Sequence, residues 1–257
     1  MNQHPRFACL ASAVGIAASL ALLPAAAAAA ELKLFGVAPV RTSIAGLSAM
    51  YQATGRELTS TVVASDIVEK SLAGKTFDVM VLSSPEMDEQ QKLGRIQGGS
   101  RVRLARVGIG LAMQEGAAKP DISTPEKFRE AMLAAKSIAY RRIDESFLSG
   151  ALAERILAST GILDTIRPKI KIMNLGASKE AIRKGEIQYG FYNISEVASP
   201  GVVLAGPVPE PLQLYSTFEA ALTTDVAALD EAKDFLKFVA GPAARPVWDK
   251  AGFEKIP

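Results

Sequence analysis

Hydroxyl side chains recur in this sequence where predicted strands end or predicted helices begin. A serine at a helix start commonly accepts a hydrogen bond from a backbone N–H of the first turn. The serine hydroxyl, the neighbouring N–H groups and the positive end of the helix dipole can together hold an anion. The pattern therefore predicts an anion pocket whose hydroxyl ligands are Ser65, Ser83, Ser84, Ser149 and Ser178.

Three arginines stand near the same predicted strand ends. Arg41 lies in the turn between the first strand and the first helix, and Arg141 and Arg142 follow a later strand. A guanidinium group is a planar fork that suits bidentate recognition of a carboxylate. Each arginine could instead be a solvated loop residue or the partner of a surface acid. We expect Arg41 and Arg141 to reach the pocket.

Histidine and cysteine are almost absent, since the single His4 and the single Cys9 both lie near the N-terminus. The rest of the chain therefore cannot build a nucleophilic triad or most zinc sites. The acids Asp66, Asp78 and Glu86 are interpreted as capping or surface groups, and no acid pair has the spacing of an acid/base couple. We predict a binding protein and not an enzyme, with no catalytic residue, metal or cofactor.

Residues 1–30 have the pattern of a cleavable signal peptide. Arg6 precedes the apolar segment Ala8–Leu23, and small residues lead to Ala30. The apolar segment is too short to span a bilayer, although an uncleaved N-terminal anchor is the alternative interpretation. We therefore expect a periplasmic protein. Beyond Arg6 the chain has 28 basic and 27 acidic residues, a balance that indicates no nucleic-acid surface.

The first element pair after this leader is a strand that feeds a helix. The strand is predicted from Leu32, a kinked turn from Pro39, and the end of the helix from Gly55. Thr42 or Ser43 is expected to cap the helix start. The helical spacing of the apolar residues predicts a buried face made of Ile44, Leu47, Met50 and Tyr51.

The order of elements predicts an α/β fold with two lobes, each a wound sheet flanked by helices. The continuous apolar strand Phe77–Leu82 is typical of a parallel strand covered on both faces. The long strand Arg101–Met113 is expected to cross between the lobes, and Gly108 and Gly110 within it mark a bend or a close backbone approach. We expect lobe 1 at residues 31–112 and 204–257 and lobe 2 at residues 113–203. Ligands in such a body bind between the lobes, at the strand ends.

Several segments, in this order, resemble the periplasmic molybdate-binding protein family. They are FDVMVL followed by SSPEMDEQQKLGRI, GSRVRLARVGIGLAM, GILDTIRPKIK, IQYGFYNISEVA, VVLAGPVPEPLQ and AKDFLKFVAGPAARPVWDKAGF. The resemblance covers essentially the whole chain after residue 30. It implies the class II periplasmic-binding-protein fold and the role of the substrate-binding subunit of an ABC importer.

The resemblance also implies a ligand shell of serine hydroxyls and backbone N–H groups. The family's first serine falls in the segment VAPVRTS, where the nearest hydroxyl is Thr42, and its second falls at Ala64 or Ser65. Two further positions fall at Ser149 and near Ser178. The family's tyrosine falls at Asn193, with Tyr192 beside it. The family's Asp-Pro after a strand is replaced here by Arg141 and Arg142.

Two ligand classes follow from these residues. A neutral shell suits a bare oxyanion such as molybdate or tungstate, whereas an arginine fork suits the planar carboxylate of an organic acid. The arginines slightly favour the organic carboxylate, with molybdate or tungstate as the alternative. A ligand sensor or a carboxylate-dependent hydrolase is a second alternative. The expected partners are the small anion and an inner-membrane ABC permease, and the protein is expected to be a monomer.

Overall fold

A computed structural model of the chain describes residue 1 and residues 30–141 and 148–257. The expected signal peptide, except for its two terminal residues, and Arg142 lie outside the described residues. The strands are β1 (Leu32–Val37), β2 (Leu58–Val63), β3 (Val79–Ser83), β4 (Val102–Gln114), β5 (Ile138–Tyr140), β6 (Ile170–Ile172), β7 (Tyr189–Asn193), β8 (Val202–Pro207) and β9 (Tyr215–Leu222). The helices are α1 (Arg41–Gln52), α2 (Val68–Leu72), α3 (Ser84–Lys92), α4 (Pro125–Ala134), α5 (Leu148–Ser159), α6 (Leu163–Ile166), α7 (Leu175–Arg183), α8 (Ile194–Val197), α9 (Leu229–Ala240) and α10 (Arg245–Lys250).

The first lobe is built on strands in the order β2-β1-β3-β9-β4. Strands β2, β1 and β3 are parallel, and β9 runs antiparallel to both β3 and the first part of β4. All residues of β3 are buried, as its continuous apolar sequence predicts. Parallel strands end at the same edge of a sheet, so the loops after β1, β2 and β3 lie side by side.

Helix α1 differs from its prediction at its start and on one face. A 3-10 turn at Ala38–Val40 leads directly into the helix, so Thr42 and Ser43 lie inside it and cap nothing. The fixed φ of Pro39 starts the helical backbone early, which is why the predicted cap was wrong. Met50 was expected on the buried face but is 38% exposed. The buried face of α1 instead includes the small residues Ser43 and Ser48. Gly55 has a φ of +82°, as predicted for the residue after a helix.

The second lobe is built on the rest of β4 with β7, β5 and β6. Residues 109–113 of β4 pair antiparallel with β7, and β7, β5 and β6 are parallel. Strand β8 also pairs with this part of β4, and Ala205 lies in the second lobe's core. Strand β9, which begins at Tyr215, pairs with strands of the first lobe.

Strand β4 crosses between the two lobes, as predicted from its length. Gln213 binds the backbone of β4 where the strand passes from one lobe to the other. Its Oε1 accepts a hydrogen bond from Ile109 N at 2.8 Å, and its Nε2 donates to Ile109 O at 3.0 Å. A Cβ at Gly108 would lie 2.8 Å from the Gln213 amide, and one at Gly110 would lie 2.6 Å from Leu204. Both glycines therefore permit a close approach, as their position in a strand indicates.

The C-terminal segment packs onto the first lobe. Helix α9 buries Ala232, Phe235, Leu236 and Val239, which are the residues that its periodicity predicts. Trp248 packs edge to face against Phe253, with 5.2 Å between ring centroids. The two aromatic residues thus hold the tail by packing. Within residues 30–141 and 148–257, no helix has both the length and the apolarity needed to cross a membrane.

Candidate functional site

A pocket lies between the lobes at the ends of the strands. Three of its residues mark the starts of helices with at least nine residues: Pro39 before α1, Ser83 before α3 and Ser149 in the first turn of α5. The N-terminal dipoles of these helices favour negative charge. The cavity that the lining residues enclose has a volume of about 20 Å³. The lining residues are Pro39, Ser65, Ser83, Glu86, Arg141, Leu148, Ser149, Asn193, Ser216 and Phe218.

A buried network of charged and polar side chains forms one wall of this pocket. Arg141 Nη1 lies 3.3 Å from Glu196 Oε1, and both residues are 6% exposed. Asn193 Nδ2 donates to Glu196 Oε2 at 2.9 Å. Ser216 Oγ donates to Asn193 Oδ1 at 3.1 Å, which joins the first lobe to the second. The network orients the Arg141 guanidinium at the pocket and places a buried carboxylate directly behind it.

Burial raises the pKa of Glu196 above its ordinary value of 4.5. Arg141, the Asn193 hydrogen bond and Lys179 act in the opposite direction, and the negative charge of Glu86 adds to the rise. Burial also lowers the pKa of Lys179, which faces Glu196 from α7. A buried carboxyl group loses more solvation than one neighbouring cation returns, so the loss of solvation decides the direction.

The raised pKa of Glu196 makes part of the folding stability depend on pH. The folded state binds this proton more tightly than the unfolded state, so the contribution is complete below pH 4.5 and is lost as the pH rises through the folded pKa. We expect Glu196→Gln to remove this part of the decline in the free energy of unfolding. Urea denaturation from about pH 4 to about pH 8 measures it. The exposed Glu89→Gln is the matched control, and equal slopes for Glu196→Gln and the wild type would contradict the expectation.

Helix α3 begins at the opposite wall with a reciprocal cap. Glu86 Oε2 accepts hydrogen bonds from Ser83 N at 2.9 Å and from Ser83 Oγ at 2.6 Å. Ser83 and Glu86 thus form a capping box, which satisfies N–H groups at both ends of the first turn. Among the described residues, none hydrogen-bonds to Glu86 Oε1, which is buried. Because Glu86 lines the pocket, the pocket has a carboxylate in its wall as well as its donors.

Five of the residues expected at the site line the pocket together: Ser65, Ser83, Arg141, Ser149 and Asn193. The other five lie elsewhere. Arg41 is exposed and donates to Val62 O at 3.1 Å, and Thr42 beside it is also exposed. Ser84 donates to Glu219 at 2.7 Å. Tyr192 donates to Ser178 at 2.6 Å in a buried pair behind the sheet, and burial raises the pKa of Tyr192 to about 12.

The sequence analysis did not place at the site Glu86 and two residues of β9, which line the pocket, or Glu196, which lies behind Arg141. Glu86 and Glu196 each lie three residues after the polar residue that precedes a helix, Ser83 and Asn193. That spacing is the sequence signature of a helix start, so it could have placed both acids beside the predicted pocket. Ser216 and Phe218 come from β9, a strand for which the sequence analysis made no prediction. No group of three or more His, Cys, Asp or Glu residues suited to a metal occurs among the described residues.

A family model described as bacterial extracellular solute-binding protein matches residues 38–254. The chain belongs to this solute-binding protein family. The match begins at the turn after β1 and runs through both lobes. It therefore contains every residue that lines the pocket of this solute-binding protein.

Solved structures share the fold of this solute-binding protein at low sequence identity. The periplasmic molybdate-binding protein of Azotobacter vinelandii is 18% identical, with a TM-score of 0.68 over 88% of this chain and 100% of that chain. PEB3, a Campylobacter jejuni protein, has been solved with L-phospholactate bound; it is 15% identical, with a TM-score of 0.71 over 88% of this chain and 100% of that chain. These similarities confirm the class II periplasmic-binding-protein fold and the predicted resemblance.

One relative of this solute-binding protein has the name of an enzyme. It is an aconitate isomerase of Pseudomonas sp., 28% identical over 182 residues, which are 70% of this chain and 68% of the relative. The family and the solved structures thus describe binding proteins, and one relative at this identity is a catalyst. Proteins of one fold can differ in this way, because function depends on the residues of the site.

Proposed function

We propose that this protein captures a small organic carboxylate between its two lobes and delivers it to an ABC-type permease. The observation that carries the proposal is the buried Arg141 at the pocket wall. A guanidinium matches the planar geometry and the charge of a carboxylate, and Glu196 and Asn193 fix its orientation. Of the two arginines expected at the site, we propose that Arg141 binds the ligand and that Arg41 does not.

The rest of the pocket supplies what a buried carboxylate needs beyond one cation. A charged group leaves water at a cost of several kcal/mol, so it must gain a full set of hydrogen bonds in return. Ser65 and Ser149 line the pocket with hydroxyls to which no other described residue hydrogen-bonds. The N-termini of α1, α3 and α5 add backbone N–H groups and partial positive charge.

Capture requires a hinge motion of the lobes. The pocket has little space open to water, so the lobes separate to admit the ligand and close on it from both sides. Ser65 and Ser83 contribute from the first lobe, and Arg141, Ser149 and Asn193 contribute from the second. The closed form then docks on the permease as a monomer. Residues 1–30 direct the chain to the periplasm as a signal peptide.

A thermal-shift screen of the purified protein tests the proposal. The ligands are molybdate, tungstate, sulfate, and di- and tricarboxylates. A ligand at 100 times its Kd adds about 2.7 kcal/mol to the free energy of unfolding, which raises Tm by about 5–10 °C in a protein of this size. We expect at least one carboxylate to reach this range. If only molybdate and tungstate raise Tm, the carboxylate proposal is wrong.

Molybdate or tungstate remains the alternative ligand. It is favoured by the serine hydroxyls and helix N-termini at the pocket and by the molybdate-binding protein among the structures of the same fold. A bare tetrahedral oxyanion needs no planar fork, and it would meet the carboxylate of Glu86 at the pocket wall without a proton to donate to it. That charge arrangement is the reason for ranking it second.

A second candidate function is isomerisation of an unsaturated polycarboxylate. It is favoured by the aconitate isomerase relative. Proton NMR of cis- and trans-aconitate incubated with the protein tests it. Interconversion of the two acids that Arg141→Gln abolishes would support catalysis at this pocket. If the protein binds aconitate but does not interconvert the two isomers, isomerisation is excluded for this substrate.

A further inference from the structure

Glu86 is an unexpected residue in a pocket for anions. Its Oε2 is fully used by the two bonds from Ser83, whereas its Oε1 is buried and accepts no hydrogen bond from a described residue. A buried acceptor without a donor is destabilising, and more so when it belongs to a charged group. The carboxylate is also close enough to Glu196 for its negative charge to contribute to the raised pKa of that residue.

The position of Glu86 distinguishes between classes of anion. Molybdate, sulfate and a fully ionised simple carboxylate offer only acceptor oxygens, which would meet Glu86 Oε1 without a proton between them. Like-charged oxygens in contact repel one another strongly inside a protein. A ligand that also carries an O–H or N–H group can satisfy Oε1 while its carboxylate stays with Arg141 and the helix N-termini.

We propose that the organic acid held in this pocket carries a hydroxyl group that donates a hydrogen bond to Oε1 of Glu86. The inference rests on the proposed function, that is, on carboxylate binding at Arg141. It narrows the ligand to a hydroxycarboxylate. Glu86 then acts as the residue that selects for the hydroxyl, in addition to capping α3.

A hydroxyl fits this pocket better than an ammonium group does. An ammonium ion has three donors and needs several acceptors, and it would approach Arg141 and the positive ends of three helices. The other buried acceptors beside the pocket are already in use: Glu196 contacts Arg141 and Asn193, and Asn193 Oδ1 accepts from Ser216. Among the described carboxylate and amide oxygens at the pocket, Glu86 Oε1 is the one without a donor, and it matches one neutral O–H group.

Calorimetric titration with matched acids tests the inference. The pairs are malate, as both enantiomers, against succinate, and citrate against tricarballylate and trans-aconitate. A site built for a hydroxyl discriminates strongly against an analogue without one, because its buried polar group is left unpaired. We expect the hydroxylated acid of at least one pair to bind at least about tenfold more tightly to the wild-type protein.

The variant Glu86→Gln assigns the preference to this residue. Glutamine also fits a capping box, so its oxygen can take the Ser83 bonds while its NH₂ group faces the pocket. We expect the hydroxyl preference to vanish or reverse, with the acid that lacks a hydroxyl binding more tightly than it does to wild type. The exposed Glu89→Gln on the same helix should leave both affinities unchanged.

The possible outcomes separate this inference from the proposed function. Equal wild-type affinity within every pair overturns the hydroxyl inference and leaves carboxylate binding standing. If Glu86→Gln still prefers the hydroxylated acid, the hydroxyl inference is also overturned, since another residue must then bind the hydroxyl. If no carboxylate binds, the proposed function fails and the inference fails with it.

Discussion

Arg141→Gln is expected to weaken the binding of the best carboxylate by at least about 100-fold, which corresponds to about 2.7 kcal/mol. Arg141 is 6% exposed, so its charge acts in a poorly solvated pocket where water does not screen it. Calorimetric titration of the purified variant with the best ligand from the thermal-shift screen gives the value. Arg141→Lys keeps the charge but loses the planar fork, and its expected loss is smaller, about tenfold.

Loss of stability could imitate this effect, because Arg141→Gln leaves Glu196 buried without its cation. Breaking a buried ion pair from one side costs about 3–5 kcal/mol, although protonation of Glu196 limits the cost at low pH. The double variant Arg141→Gln/Glu196→Gln removes both charges. We expect it to recover stability in urea denaturation without recovering binding. Recovery of both would mean that Arg141 serves the fold and not the ligand.

Arg41→Gln is the comparison that separates the sequence-based hypothesis from the structural one. Both arginines follow predicted strands, yet Arg41 is exposed and bonds to Val62 O, whereas Arg141 lines the pocket. We expect Arg41→Gln to bind the ligand within about twofold of wild type. If Arg41→Gln lost as much ligand affinity as Arg141→Gln, Arg41 would have to contact the ligand, which would contradict its position outside the pocket.

Local patterns were sufficient for most of the fold. Strand β3 is apolar throughout and is buried throughout, and the face of α9 follows a regular helical spacing. The length of β4 and its two glycines were enough to predict a strand that crosses between lobes. Each of these signals lies within one element. The start of α1 was missed because a 3-10 turn and an α-helix can share one continuous helical backbone.

The site was predictable only in part, because side chains at strand ends can face either way. Ser83, Ser149 and Asn193 lie at strand ends or helix starts and do line the pocket. Ser178 was expected at a helix start, but α7 begins at Leu175, so Ser178 lies inside the helix, where Tyr192 bonds to it in a closed core behind the sheet. Glu86 and Glu196 have the spacing of ordinary capping acids. Their placement depends on how the two lobes meet, which no single segment of sequence encodes.

Asp78→Ala is expected to lower the free energy of unfolding by about 3–5 kcal/mol, although its sequence suggested only a capping or surface acid. The residue is 3% exposed, and its Oδ2 accepts from Lys33 N at 2.8 Å. Its Oδ1 accepts from Ala227 N at 2.7 Å and from Ala228 N at 3.1 Å. Ala228 precedes α9, so one carboxylate joins β1, the start of β3 and the start of α9.

The cost follows from the three N–H groups that Asp78→Ala leaves without a partner. Each unpaired buried donor costs about 1–3 kcal/mol, and water that enters in place of the carboxylate keeps the total near the lower end of the sum. Asp78→Asn keeps one acceptor oxygen but turns an N–H toward a backbone donor, so its loss should be intermediate. Urea denaturation measures both variants. Asp66→Ala is the matched control, because the sequence placed Asp66 in the same class and it is exposed; its loss should stay within about 0.5 kcal/mol. Equal stability of Asp78→Ala and Asp66→Ala would contradict a structural role for the buried carboxylate.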